Sequence, residues 1–105
     1  MVELRNGHLL LKSGLARQMA SILDEKAFVK IVFYPKEAKL MLASHDDEWF
    51  SSIHKAKAAM LKNKNLQGDK VVALREILMD NEIDEQDRQL TYHYDQDLCV
   101  LQVTL

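Results

Sequence analysis

Residues 27–44, AFVKIVFYPKEAKLMLAS, constrain the fold more than any other stretch of this chain. Two short apolar runs flank Pro35. The first is rich in β-branched and aromatic residues, which suit a pleated surface better than a helix. Pro35 presets φ for a turn, and Lys36 and Glu37 make that turn polar. The segment therefore predicts a hairpin, and its first strand is apolar at nearly every position, as for a central strand. A second hairpin is predicted at VELRNGHLLL, because Asn6-Gly7 supplies the positive φ angles of a tight two-residue turn. A third follows from QLTYHY and LCVLQVTL around the polar DQD.

Helices are expected between the hairpins. In KSGLARQMASILDE, Leu15, Met19, Ile22 and Leu23 recur at helical spacing, with Ser13 placed to cap. EWFSSIHKAKAAMLKNKN reads as a second helix over about 48–63, opened by Ser44 and the acids 46–48. At 100° per residue, Trp49, Phe50, Ile53, Met60 and Leu61 form one apolar arc, and Lys57 falls inside it. Residues 70–80 support a third, shorter helix capped by Asp69, with a strand as the rival reading. The expected architecture is a single α+β domain over residues 1–105. Its order is ββαββααββ: a mostly antiparallel sheet built from hairpins, with two or three helices packed on one face.

Composition excludes several classes. Three glycines are too few for a Gly-rich phosphate cradle, and no G-x-S-x-G element is present. The single Cys99 rules out a disulfide or thiolate cluster within one chain, and its apolar neighbours argue for a strand thiol. In SHDDE the ligand-type residues are adjacent and point apart, so a helix cap is the reading and no metal is expected. No cofactor is expected either. No apolar run is long enough to span a bilayer, and MVELRNGHLLLKSG lacks a cleavable leader pattern, so the chain is expected to be cytoplasmic.

Charge is distributed unevenly although the net is only -2. Residues 53–70 carry five lysines against one aspartate, a local net of +4. Residues 76–97 carry eight acids against one arginine, a local net of -7. Complementary faces of this kind can meet in an oligomer. Leu105 still lies in a strand pattern, and an apolar edge invites pairing. A non-enzymatic cytosolic interaction domain that self-associates, as a homodimer or with a partner of complementary charge, is the leading expectation. The alternative is a nucleic-acid-binding or regulatory protein that uses the lysine-rich helix and the loop after it. Lys55, Lys62, Lys64 and Lys70 form the candidate binding surface. Lys57, and Lys30 within AFVKIVFY, are candidate buried or interface charges, because an enclosed ammonium group needs a partner.

Overall fold

The computed structural model covers residues 1–105 and is 42% strand and 25% helix, so strand pairing dominates the architecture. The strands are β1 (Val2–Arg5), β2 (His8–Leu11), β3 (Phe28–Tyr34), β4 (Lys39–Ser44), β5 (Lys57–Asn63), β6 (Lys70–Ala73), β7 (Arg88–Gln89), β8 (Thr91–Asp95) and β9 (Val100–Thr104). The helices are α1 (Ser13–Gln18), α2 (Ala20–Leu23), α3 (Glu48–His54) and α4 (Arg75–Asp80). All neighbouring strands are antiparallel, in the order β7-β1-β2-β6-β5-β3-β4-β9-β8.

The two ends of that order meet. β7 pairs with β1, and the Leu90 N–H bonds the Val2 carbonyl at 2.9 Å. From Thr91 onward the same run of chain pairs with β9. One bent strand, turning at Leu90, thus belongs to both edges and nearly closes the sheet into a barrel. β5 is a second such strand. It pairs with β3 through Lys57–Met60 and with β6 through Leu61–Asn63. Strands that pass from one half of a sheet to the other in this way make the corners of small barrels.

The expected sheet with helices on one face is therefore incorrect. Two segments read as helix, 57–63 and 70–73, are strands. They join the N-terminal hairpin to the β3–β4 hairpin, and without them there is no ring. The local reason lies at Lys55. It adopts φ 52° and ψ 48°, the left-handed conformation that ends α3. Beyond it, Ala59 and Leu61 are buried while Ala58, Met60 and Lys62 are exposed, a period of two. Of the five residues in the expected apolar arc, only Phe50 and Leu61 are buried; Trp49, Ile53 and Met60 are exposed.

Other local expectations hold. Asn6 and Gly7 turn the first hairpin with φ 50° and 75°. The 3-10 turn Pro35–Glu37 links β3 to β4, closed by Ala38 at φ 52°. Residues 13–23 are helical but broken at Met19 (φ -100°, ψ 21°) into α1 and α2.

Alternate residues fill the barrel: Val2, Leu4, Leu9, Leu11, Val29, Ile31, Leu40, Leu42, Leu61, Val72, Leu101 and Val103 form one core. A small antiparallel barrel has room inside for side chains and little else. α1 and α2 seal one end with Leu15, Met19, Ile22 and Leu23. At the other end, α4 contributes Leu78, with Leu74 just before it. α3 lies outside, where Phe50 packs with Ala43 and Val100 and against Val32 and Met41. Asp47 caps α3, accepting from the Phe50 N–H at 2.9 Å. No helix is long and apolar enough to cross a membrane.

Candidate functional site

The barrel wall opens where β5 leaves β6. Residue pairing between them stops at Leu61 opposite Val72. Continuing that register would set Arg75 against Ala58. Instead Leu74 takes φ -122° and ψ 0°, and the chain turns into α4. Lys57–Ala59 consequently have β3 on one side and no strand on the other. The result is a cleft of about 410 Å³, within the size range of ligand pockets. Ile31, Phe33, Ala59, Leu74 and Ile77 supply apolar lining, and Lys55, Lys57 and Arg75 supply cations. Glu76 and Asp80 line it from α4.

Lys57 takes its place from strand alternation. It shares a face with Ala59 and Leu61, both buried inside the barrel, and pairs in register with the buried Ile31. An inward position would normally enclose the side chain. At the opening of the wall it is instead exposed. None of Lys55, Lys57 and Arg75 lies within 4 Å of a carboxylate, since every ion pair in the protein involves other cations. Lys57 thus sets an ammonium group with no carboxylate within 4 Å at the rim of a cleft whose lining carries three cations against the two acids of α4. Such a group attracts anions more strongly than it would on open surface, because low-dielectric walls focus its field.

Alternation also fixes where the backbone points. Leu61 N–H bonds the Ala27 carbonyl, so odd-numbered residues of β5 turn their polar groups toward β3. The N–H and C=O of Ala58 turn the other way, toward the cleft that it lines. Small side chains at Ala58 and Ala73 leave that edge accessible, and both residues are exposed.

The candidate binding lysines do not form one surface. Seven residues of helix would set Lys55 about 10 Å from Lys62 along one face. In an extended chain the same step is about 23 Å. Lys55 joins Lys57 at the cleft. Lys62 and Lys64 are exposed toward the opposite end of the barrel. Lys70 is there too, bonded to Asn63 Oδ1 and 3.9 Å from Asp24. Lys30 is half-buried on the outer face of β3 without a carboxylate partner. Arg75, Glu76, Ile77 and Asp80 escaped sequence reasoning because α4 had no visible partner; only the misfit of Lys57 within its arc hinted at the site.

Asp69 caps a different helix from the one expected. Its Oδ1 accepts from the Ser13 N–H at 2.8 Å, at the start of α1. Its Oδ2 accepts from Asn65 Nδ2 at 3.1 Å and from Lys12 Nζ at 3.5 Å. The bond from Asn65, aided by Ser13 and Lys12 and opposed by burial, holds this carboxyl below the ordinary aspartate range. Ser13, expected to cap through its hydroxyl, donates its N–H instead. Cys99 sits at φ 55° just before β9, with Sγ 3.5 Å from the Gln96 carbonyl, so it ends a turn rather than lying within a strand. Burial, and then Cys99 itself, raises the Tyr94 hydroxyl pKa.

Exposed apolar side chains also gather on two surfaces, the second bordering the cleft through Met60. Trp49 and Ile53 lie one turn apart on α3, and Phe28 and Met60 are cross-strand partners on the outside of β3 and β5. No group of three or more His, Cys, Asp or Glu side chains converges as a metal site would require. No protein family, curated protein or solved structure matches the chain.

Proposed function

We propose that this chain is a non-enzymatic binding domain that works through the cleft between β5 and α4. Its ligands combine an apolar part with an acidic group. One observation carries the reading: Lys57 occupies an inward register position where the barrel wall opens beside α4, above apolar lining and without a carboxylate partner. An apolar group on the floor and an acid at Lys57 would satisfy both parts of the site. The test is a ¹⁵N-resolved NMR titration with hexanoate, and with hexanol as its uncharged counterpart. Shifts concentrated on Lys57, Ala58, Ala73 and Ile77, stronger for hexanoate, support the reading. Shifts spread evenly, or centred on Trp49, contradict it.

Self-association is a second reading, favoured by the exposure of Trp49 at 76% and Ile53 at 55% on one face of α3. Clustered exposed apolar side chains mark association surfaces. Light scattering on the protein and on a Trp49→Ser, Ile53→Ser variant tests it: a dimer mass that falls to the monomer in the variant supports a homodimer through α3. The nucleic-acid reading has less support, since its helix spans only Glu48–His54 and its lysines lie at opposite ends of β5.

A further inference from the structure

Resting on the reading of the cleft as the binding surface, we infer that its ligand is an extended acidic peptide of a partner protein, which adds to the free side of β5 as a strand. The gap has the form of a missing strand. β6 would continue along Lys57–Ala59, but it ends at Ala73, opposite Met60, and the chain turns away into α4. The edge left behind carries the N–H and C=O of Ala58, aimed into the cleft by the alternation that Leu61 and Ala27 fix. Backbone pairing on such an edge supplies affinity, and the side chains on either side supply selection.

The register specifies the guest. A strand beside β5 presents one inward side chain opposite Lys57 and the next opposite Ala59, two residues apart. Next to Lys57, with Lys55 on the same side of the cleft and Glu76 and Asp80 across it on α4, an acidic residue is favoured at the Lys57 position, and the cations outnumber the acids three to two. Next to Ala59 the side chain meets Leu74 and Ile77, so an apolar residue is favoured. Ala58 and Met60 face outward and are exposed, so the intervening guest residues are unconstrained. A basic guest would set like charges against Lys57, and a helical guest would leave the Ala58 edge unused. The motif is thus an acidic and an apolar residue separated by one position in an extended segment.

A capped heptapeptide, Thr-Val-Thr-Glu-Thr-Val-Thr, titrated into the ¹⁵N-labelled protein tests this inference, with hexanoate as the comparison. The expected result is binding at or below about 1 mM, with slowed hydrogen exchange at the Ala58 amide. Methylating every second peptide nitrogen, in each of the two phases, should weaken binding at least about tenfold in one phase, since that edge loses its donors. Lys57→Glu should weaken the acidic peptide and restore binding when the peptide Glu becomes Lys. Ala58→Pro should abolish peptide binding while leaving the β3 pairing in place, because its N–H faces the cleft. If that variant fails to fold, the methylated peptides decide. Hexanoate binding in the cleft with a peptide that does not bind, or that binds equally well when methylated, overturns strand addition and leaves the cleft reading standing. Binding of neither probe overturns both. A cleft occupied by a second copy of this chain, seen as a concentration-dependent loss of peptide binding, overturns the assignment to a partner protein.

Discussion

Replacing Asp69 with Ala probes how the barrel is held shut at the end opposite the cleft. Asp69 is 4% exposed and joins the β5–β6 connection to the first turn of α1. The substitution leaves the Ser13 N–H without its acceptor and frees Asn65 Nδ2. Loss of a helix-cap acceptor costs about 0.5–2 kcal/mol, and hydrogen bonds to a charged acceptor contribute about 1.5–3 kcal/mol. The 3.5 Å approach of Lys12 adds little, since that side chain is 46% exposed. The sum is about 2–5 kcal/mol, which for a domain of this size lowers Tm by roughly 10–20 °C. Asp69→Asn keeps an acceptor for Ser13 but turns an amide toward Asn65 and Lys12, and should lose about half as much. The pH dependence has a definite sign. The folded-state pKa of Asp69 is depressed, so its contribution is fully present above the ordinary aspartate pKa and is lost as pH falls through the folded value. Thermal melts followed by circular dichroism at pH 7 and pH 3 measure both effects. A variant that melts within about 2 °C of the parent at pH 7 would refute the reasoning. So would a gap between parent and Asp69→Asn that fails to narrow in acid.

Three further outcomes follow from the same geometry. Leu90→Ala, at the corner that closes the ring, should cost about 2–4 kcal/mol in denaturant unfolding, whereas a loss below about 1 kcal/mol would mean the corner is not packed. Ala38→Gly should stabilise by about 0.5–1 kcal/mol, because Ala38 holds φ 52° after the 3-10 turn; a destabilised variant would contradict that conformation. The pair Lys62→Glu, Lys64→Glu should leave hexanoate binding unchanged, and a large loss would return the binding surface to the far end of β5.

What the sequence made legible was local. Asn6-Gly7, the two runs around Pro35, and the C-terminal pair of strands announced themselves through turn chemistry and residue type. The misreading of 48–63 has a physical cause. Lys, Ala, Met and Leu are strong helix formers, so KAKAAMLK favours a helix on intrinsic propensity. Pairing with β3 on one side and β6 on the other overrides that preference, and neither partner is visible locally. The break itself falls on Lys55, a non-glycine residue in the left-handed region, so no glycine marks it. Exposure of Trp49, Ile53 and Met60 shows that the apolar arc on the wheel was coincidental. Closure at Leu90 was equally hidden, because QLTYHY reads as an ordinary strand whether it has one neighbour or two. The candidate site was half legible. Lys57 stood out as a charge among apolar residues, but its helical reading assigned the wrong reason. Its real setting, an inward strand position at an opening made by α4, depends on a turn at Leu74 that no turn residue signals.

Ala58 and Ala59 offer the most direct test, since they are adjacent, share a side chain and lie in one strand. Ala59 turns its N–H toward Val29 of β3, whereas Ala58 turns its own into the cleft. Native-state hydrogen exchange read residue by residue should find Ala59 protected through opening of the sheet and Ala58 exchanging at least about 10³-fold faster in the unliganded protein. Equal protection of the two amides would mean that a strand or helix already covers the free side of β5, and the cleft would not be a binding edge.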